Sequence, residues 1–512
     1  KKPSSAAFSL TKASAALDIS RRPCAFCRRH AIYRKSLKQQ PAPTEPLPAG
    51  PQIASLAGFL PAGLMLCVIA LEYTQSPVFG MAAASLSVAT IAAFLPRINR
   101  SRIAFVVIGL ILTGWAAATR PDWTQATLTA VERGALIIAL FIALSAIRNA
   151  AMSSAEILDC GRFLARQPPG RRYTALTLGG HLFGLILLYG SISLLGSLAA
   201  ESTARESDAE LRRHRLRRMM VAIQRGFAST LCWSPLGFSM VITLTLIPGA
   251  SWPAAAIPCI ASAVLMMATG WAMDAIFKPR LATPPPPRMP ESGRWLTRLR
   301  PLLLLLAVVI SGVMAMHLLT GVEVIGAVMS VVPVAALLWI AIQPRPHGFG
   351  RIGWAGSRAL QFVTRDIPGY RGEIVLLFMA GFIGSMGSFL LVPMMRGIDL
   401  GLLPPSAILI ALIWIIPLTG QLGMNPILAV SLLVPLLPSP QAMGIPPVAL
   451  VAAITGGWAL SGTTSPFTAS VLIAAALGRV TPRQAGIGWN GAYTLVMGAI
   501  LSVWVLVLAA LM

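Results

Sequence analysis

The chain predicts an all-α polytopic membrane protein, with about 11 transmembrane helices plus two re-entrant hairpins arranged as two inverted-topology repeats. Three observations carry this. Of the 512 residues 56% are hydrophobic and only 11% charged, and several runs near bilayer length carry no ionisable group. The basic residues fall into a few short segments that alternate with those runs. Residues 222–242 recur as residues 453–473, a shift of 231 positions.

Apolar runs of about 20 residues cross a hydrocarbon core of about 30 Å as helices, because a helix satisfies its own backbone where water is absent. On that basis spans are predicted at 53–71, 78–95, 103–118, 133–148, 219–246, 253–276, 301–320, 322–342, 372–395, 447–477 and 487–511. Two further apolar stretches do not read as simple spans. Residues 173–199 are interrupted by Gly179, Gly180, Gly184 and Gly190, and residues 405–437 by Pro417, Gly420, Gly423 and Pro426. Both suit hairpins that enter and leave on one face, covered by protein or lining an aqueous cavity.

Charge orients the spans. With the N-terminus in the cytoplasm, segments 1–50, 96–102, 148–172, 200–218, 277–300, 343–371 and 478–486 are inside and hold 37 of the 41 Lys and Arg. Positive residues in short loops set orientation, and making either hairpin a full span would invert everything after it. The net charge of +24 is thus an orientation signal facing anionic lipid rather than a nucleic-acid surface, so no nucleic-acid partner is expected. The domain order that follows is a basic tail (1–50), a first helix (51–77), a repeat over 78–277 with hairpin 173–199, a proline-rich cytoplasmic linker (278–300) and a second repeat over 301–512 with hairpin 405–437. Each repeat has an odd number of crossings, so the second is inverted relative to the first and the hairpin tips meet near the midplane.

The tail belongs to another regime. It is polar, basic and expected to be disordered, position 1 is Lys and Met65 is the first methionine, which is not an ordinary start. Its Cys24-Ala-Phe-Cys27 with His30 lacks a second ligand pair, so no structural metal is expected. Cys67, Cys160, Cys232 and Cys259 are scattered and imply no disulfide framework.

The repeat locates the chemistry. Ser234-Pro235 and Ser465-Pro466 coincide, with shared Gly226/Gly457 eight residues upstream and Ser239/Ser470 downstream. Ser-Pro ordinarily begins a helix, the serine capping and the proline occupying the first turn. Inside a span the pair breaks the helix, because Pro235 cannot donate to the carbonyl of Leu231, nor Pro466 to that of Gly462. Each break frees a carbonyl for a cation and presents a helix N-terminus to an anion. Ser461, Thr463 and Thr464 add hydroxyls in the second copy. A possible sodium site is therefore expected at Leu231, Ser234, Gly462, Thr463 and Ser465, with no other cofactor. The bland alternative is a pair of proline kinks healed by neighbouring hydroxyls.

The hairpins supply further candidates. Gly180-His181-Leu182-Phe183-Gly184 is matched to Gly420-Gln421-Leu422-Gly423-Met424, followed by Asn425-Pro426, at an offset of 240. Glycine allows a tight turn and close approach to a ligand, while His181, Gln421 and Asn425 offer polar side chains. Alternatively these glycines serve helix packing and the polar groups hydrogen-bond across helices. Arg225, inside a span, reads as a snorkelling anchor more readily than as an anion ligand.

Eleven spans, two opposed hairpins and two broken helices resemble the ion transporter superfamily, which includes divalent anion/sodium symporters and citrate and arsenite transporters. The resemblance covers roughly 78 to 511. It implies a site between hairpin tips and broken helices, an elevator-like movement and a homodimer. By this likeness Gly180 and Ser234 form one half-site, and Gln421, Asn425, Thr463, Thr464 and Ser465 the other. The hairpin tips lack the Ser-Asn-Thr of the divalent-anion branch.

A secondary active transporter of a small anionic solute, coupled to sodium or protons, is the functional expectation. No G-x-x-x-x-G-K-[ST] loop is present for ATP hydrolysis. The 17 carboxylates avoid the middle of the spans, leaving His181 as the one well-placed proton carrier. Two other classes remain open: the permease subunit of a binding-protein-dependent carrier, and a membrane-embedded transferase, which would need clustered acids, His or Lys. Non-enzymatic transport in a bacterial inner membrane, with lipid and solute as partners, is expected.

Overall fold

The computed structural model describes residues 56–204, 206–277, 295–344, 350–394 and 403–511. The tail 1–50, with Cys24, Cys27 and His30, and most of the 278–300 linker lie outside the described residues.

Helices account for the described fold, and no strand is found among these residues. Helix α1 is Phe59–Thr74, α2 Pro77–Phe94, α3 Arg100–Thr119 and α4 Trp123–Met152; α5, Ala155–Ala165, is short and amphipathic. The first hairpin is α6 (Pro169–Leu187) and α7 (Gly190–Ala204), followed by α8 (Ala209–Thr230), α9 (Phe238–Leu246) and α10 (Trp252–Ile276). The second half comprises α11 (Trp295–Thr320), α12 (Val324–Ile342), the amphipathic α13 (Arg351–Gln361) and α14 (Arg371–Met394). The second hairpin, α15 (Pro405–Gln421) and α16 (Pro426–Leu433), precedes α17 (Pro447–Thr464), α18 (Ala469–Gly478) and α19 (Trp489–Leu511).

Nine helical segments among the described residues are long and apolar enough to cross a membrane, one of them, Pro447–Gly478, being α17 and α18 taken together across a break, and they correspond to nine of the eleven predicted spans. The other two differ for identifiable reasons. The first span is the shorter helix α1, and span 219–246 is split into α8 and α9. Exposed Leu110, Ile111, Leu318, Leu319 and Leu495 give the outer helices an apolar surface, as expected of an integral membrane protein, whose outward side chains meet acyl chains rather than water. Helix α4 is the exception. Expected at 133–148, it runs from Trp123 to Met152, and residues 137–144 are buried without interruption. A helix buried on all sides sits at the centre of its bundle, and α4 does so against α12 and α14.

The two halves exchange contacts reciprocally. The second arm of the first hairpin, α7, packs on α18, and the second arm of the second hairpin, α16, packs on α9. Each hairpin also packs its first arm along the broken helix of its own half, α6 on α8 and α15 on α17. Glycine makes the latter contacts possible: a Cβ on Gly226 would fall 2.1 Å from the Thr177 carbonyl oxygen, and one on Gly457 2.8 Å from that of Leu412. No side chain fits at such distances, so both pairs approach backbone to backbone.

Candidate functional site

Both Ser-Pro pairs interrupt helices. In the first half α8 stops at Thr230 and α9 starts at Phe238; in the second, α17 stops at Thr464 and α18 starts at Ala469. The carbonyls that proline leaves without an amide donor are each taken by a hydroxyl eight residues on. Ser239 Oγ donates to the Leu231 oxygen and Ser470 Oγ to the Gly462 oxygen, both at 2.5 Å. Ser239 and Ser470 are among the identical positions of the repeat, a signal that was present in the sequence without disclosing this role. An unmade buried carbonyl bond costs about 1–3 kcal/mol, so the two serines stabilise the breaks. One lone pair on each oxygen stays open.

The two breaks meet. The Leu231 side chain comes within 3.1 Å of the place a Cβ would occupy on Gly462. These are equivalent residues of the two repeats, 231 positions apart, so their contact lies on the pseudo-twofold axis. Next to it, Gln224 Nε2 of the first half donates to the Thr463 oxygen of the second at 3.2 Å. Asn490 Nδ2 reaches the same oxygen at 3.3 Å and Gln224 Oε1 at 3.1 Å. Leu231, Ser234, Thr463, Thr464 and Ser465 are all buried; the structure brings Leu231 against Gly462, while Ser234 bonds within its own turn to the Leu236 amide.

The hairpin tips differ from their expected positions in one half. In the second, the turn lies at 422–424, with Gly423 at φ +91°, so Gly420, Gln421 and Asn425 flank a true tip. In the first, Gly180 and His181 sit within α6, two turns before the actual turn at Leu188 and Tyr189. A Cβ on Gly180 would lie 2.4 Å from the Ile223 oxygen, so this glycine serves helix packing. The register of the hairpins differs from the predicted one by one helical turn. Gly184 faces Thr230 and Gly420 faces Ser461, and Thr230 and Ser461 are equivalent. The hairpin offset is therefore 420 − 184 = 236 rather than 240. Glycines recur in both segments at spacings that let either register look plausible, and only the packing partner separates them.

Side-chain bonding is also unequal. His181 Nδ1 and Ser229 Oγ are 2.7 Å apart, while Ser229 Oγ donates to the Gly226 oxygen at 2.7 Å. The imidazole must then donate through Nδ1, which leaves Nε2 to accept from Trp233 Nε1 at 3.3 Å. Both nitrogens are engaged by a neutral ring. In the second half Ser465 Oγ donates to the Gly420 oxygen at 2.6 Å and ties the break to the hairpin tip. Thr463 and Thr464 hydroxyls return to the Leu460 oxygen at 2.8 Å each, and Asn425 Oδ1 caps α16 through the Ile427 amide at 3.0 Å. Gln421 is half-buried and makes no hydrogen bond among the described residues. Ser461 Oγ is buried without a partner, beside Gly420. The sequence shows Ser461 only as one of several clustered hydroxyls, yet it is the unsatisfied donor of this centre.

Arg225 is buried and held rather than snorkelling. Its Nε donates to Asn490 Oδ1 at 3.0 Å and one terminal nitrogen to the Tyr173 hydroxyl at 3.2 Å, and its guanidinium carbon lies 4.1 Å over the Tyr493 ring. Asn490 thereby links Arg225 to the Gln224–Thr463 contact. A lone Asn in an apolar span was the available signal for this network.

No protein-family model and no curated protein matches the chain. Among solved structures, the chain is similar to the Alcanivorax borkumensis YdaH transporter, at 15% identity and a TM-score of 0.54, with 80% of this chain and 97% of that one covered. The chain shares the fold of a membrane transporter. A weaker similarity is to Neisseria gonorrhoeae MtrF, described with a class of antimetabolite efflux pumps, at 14% identity and a TM-score of 0.46, covering 81% of this chain and 95% of that one.

Proposed function

We propose that the protein is a stand-alone secondary active transporter of a small anionic solute, coupled to sodium. The contact between the two helix breaks, Leu231 against Gly462, carries this reading. Broken helices that meet on a pseudo-twofold axis offer carbonyls and helix ends where inverted-repeat carriers bind ions and substrates. The shared fold with the YdaH transporter supports transport. A cation at the Gly420–Ser461–Ser465 cluster would gain the unsatisfied Ser461 hydroxyl as a ligand, along with the open lone pairs of nearby carbonyls. Sodium is favoured over the proton because the His181 nitrogens are both occupied. The positive ends of α9 and α18 favour an anion as the transported species.

Thermal unfolding of the detergent-purified protein in sodium and in potassium, across carboxylates, oxyanions and neutral metabolites, tests this. A solute at 100 times its dissociation constant stabilises by about 2.7 kcal/mol. A shift that needs both sodium and one anion class supports the coupled carrier. Equal responses in the two salts contradict sodium coupling, and a shift given by neutral solutes alone contradicts the anion.

A further inference from the structure

A cavity of about 710 Å³ lies away from the breaks, between the two repeats. The start of α8 contributes Arg212, Arg213 and Arg217 to its wall, and the region where α18 ends and α19 begins contributes Leu477, Arg479 and Trp489. Arginine is in excess there, and three of the neighbouring acids already have basic partners. Asp274 forms a bidentate pair with Arg218 at 2.6 and 2.8 Å, Glu206 pairs with Arg215 at 2.6 Å, and Glu210 lies 3.7 Å from His214. Arg213, Arg217 and Arg479 have no carboxylate within ion-pair distance among the described residues. Burial, followed by the charges of Arg225 and Arg213, pushes the Arg217 guanidinium below its ordinary range. Uncompensated like charges around one space repel each other, and an anion bound among them removes that cost.

The opposite wall is apolar. Trp489 stacks so close to Gly478 that a Cβ there would fall 2.6 Å from the ring, and Leu477 and Val480 continue the surface. Arg212, Arg213 and Arg217 come from the first half of the chain, while Arg479 and the apolar wall come from the second, and the basic loops 200–218 and 478–486 that meet here belong to the same, cytoplasmic side by their charge.

We propose that this cavity is a binding site for a phosphate-bearing ligand, distinct from the centre at the helix breaks. Guanidinium groups match phosphate oxygens in paired hydrogen bonds, and a basic pocket between helices at the cytoplasmic face suits such a headgroup. The apolar wall fits a ligand whose phosphate is joined to a hydrophobic body. An acidic phospholipid and a soluble phosphate compound share this chemistry. Because the site joins α8 to α18, its occupancy couples the two repeats.

Native mass spectrometry of the delipidated protein with cardiolipin and with phosphatidylcholine, beside thermal unfolding in sodium pyrophosphate, separates the two sources. Preferential retention of cardiolipin, reduced at least tenfold by Arg213→Gln/Arg217→Gln/Arg479→Gln but kept by Arg351→Gln, assigns a lipid headgroup. A pyrophosphate-dependent rise in unfolding temperature with the same variant dependence assigns a soluble phosphate. Should the triple variant not purify, exposed Arg479 mutated alone (Arg479→Gln) is read in the same way. Neither response in the wild-type protein, or losses as large in Arg351→Gln, overturns the site.

Discussion

The two halves of this protein carry the same helix break but close it differently. Half one fills the space between hairpin and break with aromatic rings: Tyr189 at the tip lies 5.1 Å from Phe227, and His181 stacks on Trp233 at 5.9 Å. Trp252 Nε1 donates to the Trp233 oxygen at 2.9 Å, sealing one more carbonyl. Half two has Asn425 where Tyr189 stands, Ser461 where Thr230 stands and Thr464 where Trp233 stands, and it keeps a hydroxyl-rich, tightly bonded junction. A duplicated scaffold thus separates into a packed half and a polar half. The unsatisfied Ser461 hydroxyl, to which we assign the ion, belongs to the polar half.

Substitutions sharpen that contrast. The largest effect is expected at the shared glycines. Gly226→Ala forces a Cβ to within 2.1 Å of backbone and should destabilise by about 3 kcal/mol or more, whereas Gly457→Ala, with 2.8 Å, should cost less; thermal unfolding in detergent ranks them. Equal losses would mean that the halves pack alike. Next come the capping serines. Ser239→Ala and Ser470→Ala each orphan a buried carbonyl and should cost about 1–3 kcal/mol in both halves. The two shifts should agree closely, since this device is symmetric.

The motif serines should not agree. Ser465→Ala frees the Gly420 oxygen as well as its own turn, while Ser234→Ala loses only its bond to the Leu236 amide at 3.2 Å. About 1–2 kcal/mol is expected for the first and under about 1 kcal/mol for the second. A larger loss from Ser234→Ala would move the polar centre to the first half. The smallest effect belongs to the turns. Leu188 occupies φ +49° where its counterpart turn uses Gly423 at φ +91°. Leu188→Gly should relieve strain of about 1 kcal/mol, seen as a small rise in unfolding temperature, and Gly423→Ala should lower it.

Much of this was legible in the sequence where the signal is repetitive or long. Apolar length located nine of the spans, and the recurring Ser-Pro located both breaks. The first hairpin misled, since Gly180 and Gly184 are one helical turn apart and both sit against α8. Nothing in the residues themselves says that Leu188, not glycine, makes the turn. Helix α4 extends beyond the predicted 133–148 at both ends: Arg133 reaches the Thr245 oxygen at 3.2 Å, and the helix begins ten residues before it at Trp123. Capping of Leu231 and Gly462 by serines eight residues on needs the unwound geometry and follows from no local pattern.

The most direct test of the central claim is solute uptake into proteoliposomes under an imposed sodium gradient, with the anion that sodium-dependent unfolding identifies. The wild-type protein should accumulate it, Ser461→Ala should lose sodium dependence, and Thr230→Ala, its counterpart in the packed half, should retain it. Undiminished sodium-driven uptake in Ser461→Ala, or equal loss in both variants, would contradict the assignment of the ion to the polar half.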